Sequence, residues 1–306
     1  FSYGIEAMTS ETCYPVKVSH GHVKALIGKT RYLFLPSIIN MPTPKESERG
    51  FYCPLVSSNQ YMVSVALDLD KASILSPIIH LKYDTSTLAV ELSEQLSKKL
   101  GKSRSEIERA LEYALERQNV FVDEMYAMGK EIIETHPADV PLVLVTGRPY
   151  NLYDERLNLR LGQNMAKIGV NAVPMDFIDV SGVDLSDFPA MYWGLGAQIL
   201  RPARFIVDRP NYFGLPITNF SCGAYSFIEH FYKHIMGDKP YLILELDEHS
   251  AVAGVMTRLE AYKNVIENTM QKPDRDGPGY PADSPHVYPS SPVPPEPSRS
   301  LTTERN

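Results

Sequence analysis

Three cysteines are the residues of this chain best suited to chemistry. Cys13, Cys53 and Cys222 lie in the segments TCYP, YCP and SCG, each near a predicted strand end or helix start and each with a proline or glycine close behind it. The partial positive charge of a helix N-terminus lowers the pKa of a thiol and favours the thiolate. Thiolate-only ligand sets select an iron–sulfur cluster or zinc over hard cations.

The spacing of the cysteines alone leaves their role open. A lone cysteine commonly serves as a small buried apolar residue. The chain has no CxxC pair, and separations of 40 and 169 residues match no local zinc motif. The number of cysteines is odd, and the first residues have neither the basic nor the apolar region of a signal peptide. These features do not suggest a disulfide framework. We therefore expect a cytoplasmic protein.

Four ionisable residues are candidates for acid–base catalysis. Glu11 is beside Cys13, although a carboxylate that stabilises a helix N-terminus is an equally good explanation. His20 follows in a predicted helix, and we expect it to line the site and not to bind metal, because a second histidine two positions later faces another side. Glu248 and His249 end the last predicted strand, which favours acid–base chemistry, with N-capping of the next helix as the alternative.

Other polar residues follow two predicted strands. Asn219 and Ser221 precede Cys222 and are candidates to hydrogen-bond a cofactor, although an ordinary turn would use the same residues. Arg148 and Tyr150 follow a buried strand, where an arginine can pair with a phosphate or carboxylate of a substrate. A structural ion pair is the alternative for the arginine.

Hydrophobic periodicity predicts the elements that must position these residues. Residues 1–84 are typical of an α/β domain, with helices that begin after the first two cysteines and strands at 32–39 and 74–81. Pro77 lies inside the second strand and fits only an edge strand or a bulge. Residues 85–136 form a predicted helical insert, with a capping box at Ser103 and Glu106.

Residues 137–272 predict a second α/β domain. Its expected strands lie at 140–147, 171–175, 215–220 and 240–246, and its expected helices at 155–168, 189–200, 225–236 and 250–271. Pro202 should kink or end the second of these helices. Residues 273–306 contain nine prolines and predict a disordered tail. The predicted fold is therefore α/β, with two Rossmann-like parallel-sheet domains and a helical insert.

Composition excludes several classes of partner. The 306 residues are 43% apolar and 22% charged, as in ordinary globular proteins. A net charge of −7, without a basic patch, argues against nucleic acid. No apolar run approaches the roughly 18 residues of a membrane span. The chain begins at Phe1 without an initiator methionine, so we expect a fragment of a longer protein.

Five motifs, in this order, carry a resemblance to a known family: SETCYPVKVSHGH, FYCP, GRPYN, NFSCG and DEHSAVAGVMTRLEAY. They resemble the domain that follows the ATPase modules of acyl-CoA dehydratase activase-related proteins. That domain is in turn similar to the cluster-carrying subunits of 2-hydroxyacyl-CoA dehydratases and to double-cubane cluster proteins. The resemblance implies that Cys13, Cys53 and Cys222 hold a [4Fe–4S] cluster, or one half of a double-cubane cluster, with a non-protein ligand on the fourth iron.

The same resemblance implies an oxygen-sensitive function in anaerobic metabolism. We expect low-potential electron transfer to a small substrate such as an acyl-CoA, as a component of a reductase or dehydratase system. The glycine-rich phosphate loops of the activase modules do not occur in this chain, so an ATP-dependent activase, fused upstream or separate, would drive the transfer. A 2-hydroxyacyl-CoA dehydratase (lyase) subunit and a zinc-stabilised, non-catalytic assembly module remain alternatives.

Overall fold

The computed structural model describes residues 2–8 and 11–271, in which helices alternate with short strands. The helices are α1 (Ser2–Ala7), α2 (Tyr14–Leu26), α3 (Pro54–Ala66), α4 (Thr85–Leu100), α5 (Arg104–Thr135), α6 (Pro149–Tyr153), α7 (Leu161–Lys167), α8 (Gly194–Val207), α9 (Gly223–Met236) and α10 (Val252–Gln271). The strands are β1 (Leu33–Phe34), β2 (Ser37–Asn40), β3 (Ile74–Leu75), β4 (Ile78–His80), β5 (Leu142–Gly147), β6 (Ala172–Pro174), β7 (Tyr212–Asn219) and β8 (Leu244–Leu246). These strands pair in parallel, which confirms the α/β fold class.

Two prolines divide the strands that were predicted in the first part of the chain. The expected strand at 32–39 is split at Pro36 into β1 and β2, and the one at 74–81 is split at Pro77 into β3 and β4. The first pieces pair with each other, as do the second pieces. A proline lacks the backbone N–H that a strand ladder needs, so each ladder is interrupted at its proline.

The predicted helical insert is present as α4 and α5. Asp84 caps α4 by accepting hydrogen bonds from the backbone N–H groups of Ser86 and Thr87, and Gly101 ends it with a φ of 64°. Ser103 and Glu106 form the predicted capping box at the start of α5. None of the helices within residues 2–8 and 11–271 combines the length and apolar composition that a membrane crossing requires.

A four-stranded parallel sheet, in the order β6-β5-β7-β8, forms the second part of the fold. Alternate residues of β5 face opposite layers of helices. Leu142 and Leu144 pack with residues of α8 and α9, whereas Val143 and Val145 pack with residues of α7 and α10. The strand order changes direction between β5 and β7. In such sheets the carboxyl ends of the two strands at the change of direction border a ligand-binding crevice.

Two predicted helices of this part differ from the structure. The expected helix at 155–168 is reduced to α7, because Leu159 and Arg160 adopt left-handed conformations with φ of 54° and 55°. The helix expected at 189–200 begins later, at Gly194, and runs through Pro202 to Val207 without ending at the proline. Burial of this helix against the sheet, with Leu200 and Ala203 fully buried, outweighs the loss of one backbone hydrogen bond.

Contacts between remote segments join the two predicted α/β domains. The backbone N–H of Phe51 donates to the Tyr192 carbonyl, and its carbonyl accepts from the Gly194 N–H, both at 2.9 Å. Arg201 Nη2 donates to the two carboxylate oxygens of Glu48 at 2.5 and 2.6 Å. Phe1–Gln271 clusters as one compact unit, and the predicted domain boundaries within it stay a prediction. The predicted tail at 273–306 lies outside the described residues.

Gly129 allows α5 to contact the turn at Met175–Phe177. A Cβ at this position would lie 1.7 Å from the Phe177 carbonyl oxygen. We expect Gly129→Ala to lower the free energy of unfolding by about 1–3 kcal/mol in urea titrations, because the backbone would have to move. Gly162→Ala in α7 is the matched control, since its Cβ would meet nothing within 4 Å. Equal stability of the two variants would contradict this explanation.

Candidate functional site

Three helices begin at the three cysteines. Cys13 is the N-cap residue of α2, Cys53 of α3 and Cys222 of α9. A proline lies in the first turn of α2 and of α3, where its missing N–H has no intrahelical partner to lose. The three thiols therefore lie at the positive ends of three helix dipoles.

The same three cysteines line one cavity of about 310 Å³. All three thiols are free and partly buried. Apolar residues of α2, α3 and the β1–β2 segment contribute to the lining, together with Arg148, Tyr150 and Ser221. Arg148 directly follows β5 and Cys222 follows β7 closely, so the cavity lies at the change of strand direction, where ligands collect in sheets of this kind.

Electrostatic effects link the thiols to one another. Burial raises the pKa of the Cys13 thiol, and the Val16 backbone N–H lowers it. The neighbouring thiols of Cys222 and Cys53 raise this pKa further, whereas the Arg148 guanidinium lowers it. The charges of the other two thiols and of Arg148 therefore act on the Cys13 thiol, as expected for groups that line one cavity.

The cavity is not a preformed ion site. In the described part of the chain, no group of three His, Cys, Asp or Glu side chains is arranged to hold a metal ion. The backbone N–H of Tyr225, in the first turn of α9, donates to Cys222 Sγ at 3.4 Å. The cysteines thus share a cavity, and a helix N-terminus supplies at least one N–H that points at sulfur.

Arg148 and Tyr150 add a positive charge and a hydroxyl to the cavity. Arg148 is 5% exposed, and within the described residues its Nη1 atom has no hydrogen-bond partner. An unpaired guanidinium is costly to bury, so the cavity suits an anionic ligand. Burial raises the pKa of Tyr150 well above its usual value. The phenol therefore keeps its proton near neutral pH and can donate a hydrogen bond.

The two polar residues predicted beside Cys222 have different environments. Ser221 lines the cavity with a left-handed φ of 60°. Asn219 is 2% exposed, and its Nδ2 donates to the Leu246 carbonyl at 3.1 Å. Its amide therefore connects β7 to β8. Ser221 therefore lines the cavity, whereas Asn219, the last residue of β7, is not among the described residues that line it.

The four predicted acid–base residues do not line this cavity in the described structure. His20 is fully buried in α2, with Nδ1 at 2.9 Å from the Val16 carbonyl oxygen. Glu11 and Glu248 both accept from the buried Lys17, at 2.7 and 2.5 Å. His249 is exposed, and its backbone N–H donates to Asp247. Their catalytic roles stay predictions.

Sequence reasoning missed three residues near the cysteines. Lys17 joins α2 to the segment that follows β8 through its bond to Glu248. Ser19 and Asn59 both line the cavity, and the Ser19 hydroxyl donates to Asn59 Oδ1 at 3.0 Å. Each lies six positions after a cysteine. A polar residue at the same offset in both helices is the signal that could have identified this pair.

Comparison with protein families supports the resemblance that the motifs indicated. Residues 1–178 match the family described as CoA enzyme activase uncharacterised domain (DUF2229). The matched segment includes Cys13, Cys53 and Arg148 and ends before Cys222. Comparisons with curated proteins and with solved structures found no match. Because the match covers more than half of the chain, the protein belongs to this CoA enzyme activase family and is related to the activases of acyl-CoA dehydratases.

Proposed function

We propose that Cys13, Cys53 and Cys222 together bind one iron–sulfur cluster, and that the cluster carries low-potential electrons in an acyl-CoA enzyme system. The observation that carries this proposal is the shared cavity: three cysteines from distant segments line it together. Family membership supports the acyl-CoA context and a partner enzyme.

The chemistry of the cavity fits such a cluster. Thiolates are the ligands that hold iron–sulfur clusters, and hydrogen bonds to sulfur tune their potential. Each cysteine lies at a helix N-terminus, where backbone N–H groups can donate to sulfur, and Arg148 supplies a buried positive charge. A cavity of about 310 Å³ has room for a multi-atom core, whereas one zinc ion with bonds near 2.3 Å needs no such space.

When bound, the cluster would supply one-electron chemistry at low potential. The protein's own contribution is to hold and shield it. Apolar residues such as Val16, Ile38 and Leu55 line the cavity and limit the entry of water. Tyr150 retains its proton and is placed to donate a hydrogen bond to a sulfur or to a bound substrate.

Other components complete the proposed system. An ATP-dependent activase, encoded upstream in the same chain or separately, would supply the electron. A small substrate such as an acyl-CoA would accept it, directly or through a partner enzyme. Arg148 and Tyr150 are the candidates to contact that substrate, since both line the cavity.

Anaerobic purification of the chain, followed by iron, zinc and acid-labile sulfide assays, tests this proposal. We expect about four irons and four sulfides per chain, and an EPR signal after reduction, for a [4Fe–4S] cluster. Stoichiometric zinc without sulfide would contradict the proposal and favour the assembly-module alternative. Turnover of a 2-hydroxyacyl-CoA in the presence of an activase would instead identify a lyase subunit.

A further inference from the structure

Two arginines are buried in the part of the chain that the structure describes, Arg148 and Arg201, and only one of them pairs with a carboxylate. Arg201 is 3% exposed and donates to both carboxylate oxygens of Glu48. Arg148 is 5% exposed, lines the cysteine cavity, and forms no ion pair with a carboxylate among the described residues. Its Nη1 atom has no hydrogen-bond partner there. Within residues 2–8 and 11–271, the buried charge of Arg148 is therefore uncompensated.

The groups around Arg148 indicate where its counter-charge must come from. Among the described residues, no Asp or Glu side chain lines the cavity beside the guanidinium. Tyr150 keeps its proton near neutral pH because of its own burial. The remaining source of negative charge on this side of the guanidinium is the set of three thiols.

We infer that Arg148 is the counter-charge of the group that the three cysteines hold, and that it raises the reduction potential of the bound cluster. This inference rests on the proposed function. Three thiolates give a four-iron cluster a net negative charge, which grows by one unit on reduction. A fixed buried cation stabilises the more negative state more strongly. Arg148 thus acts on the charge of the cluster, in addition to its proposed contact with substrate.

Arg148 also affects the stability of the protein without its cluster. In the cluster-free chain the guanidinium is buried without a partner, so its removal relieves an unfavourable charge. Arg148→Met should therefore leave the melting temperature of the cluster-free chain unchanged or higher. The cluster-loaded variant should lose iron to a chelator faster than the loaded wild type.

The test is an EPR-monitored redox titration of the reconstituted full chain and three variants. Arg148→Met should shift the reduction equilibrium at least tenfold toward the oxidised state, a fall in potential of about 59 mV for one electron. Arg148→Lys retains the charge and should stay near the wild-type potential. Arg156→Met removes an exposed arginine, changes the net charge equally, and should also stay near it. Arg148→Gln replaces the methionine variant if that variant does not fold.

The results that would refute the proposed function differ from those that would overturn the role of Arg148. Wild type without iron and sulfide would refute the proposed function itself. A wild-type cluster whose potential is unchanged in Arg148→Met or Arg148→Gln would overturn the inference and leave the proposed function intact. Folded Arg148→Lys and Arg148→Met chains that both fail to load would also overturn it, because shape and not charge would then be the requirement. Loading of the lysine variant alone would support it.

Discussion

Replacing any one cysteine with serine is expected to remove most of the iron and sulfide from the anaerobically purified chain. A serine hydroxyl is a harder ligand with a far higher pKa than a thiol, and a cluster held by only two thiolates should be lost. Cys222→Ser, Cys53→Ser and Cys13→Ser should behave alike, because the three side chains line the same cavity. We expect bound iron to fall by at least about tenfold in each variant.

The position of the cysteines means that these substitutions should remove the metal ligand without disturbing the helices. Each cysteine is a helix N-cap residue, and serine is one of the best N-cap residues. The substitutions should therefore leave α2, α3 and α9 in place, with unchanged far-UV circular dichroism. Ser58→Ala is the matched control, since Ser58 is a half-buried residue of α3 that does not line the cavity. One cysteine variant with wild-type iron and sulfide would exclude a three-cysteine cluster.

Glu48→Ala is expected to lower the stability of the fold strongly, at a position outside the cysteine cavity. Glu48 neutralises Arg201, whose side chain is 4% exposed. Removal of one partner of a buried pair leaves the other charge uncompensated, at a cost of about 3–5 kcal/mol. Because one fifth of the Glu48 side chain is exposed, we expect about 3 kcal/mol, the lower end of that range. Urea denaturation followed by circular dichroism measures the change.

Two further variants separate charge from general disruption. Glu48→Ala combined with Arg201→Met removes both charges and should recover much of the lost stability. Asp184→Ala breaks the exposed ion pair with Lys45 and should change stability little. A double variant that is less stable than Glu48→Ala would show that the arginine contributes through packing and not through its charge pair.

Local sequence features predicted much of the framework around the site. The prolines after Cys13 and Cys53 correctly marked the first turns of α2 and α3, because proline is favoured there. The apolar run at 141–145 predicted β5, since a strand that is buried on both faces needs apolar residues at every position. The strand expected at 215–220 is present as β7, which begins earlier, at Tyr212. Tertiary packing explains why α8 does not end at Pro202 but continues to Val207.

The candidate site was predictable to the extent that single residues have a distinctive chemistry. Cysteines at helix starts and an arginine after a buried strand can be recognised one at a time, and the structure brings them into one cavity. Pairings between distant segments cannot be read in this way. Lys17 with Glu248, and Arg201 with Glu48, join residues 231 and 153 positions apart. Nothing in the neighbouring sequence distinguishes Lys17 or Arg201 from an exposed lysine or arginine.

Thiol alkylation, read by mass spectrometry, tests the central claim most directly. The chain has three cysteines and no others, and each is partly accessible in the folded protein. With iodoacetamide under anaerobic conditions, we predict that Cys13, Cys53 and Cys222 all react in the cluster-free chain and that all three are protected after loading with iron and sulfide. A loaded chain in which any one of them still reacts at its cluster-free rate would contradict a cluster shared by all three.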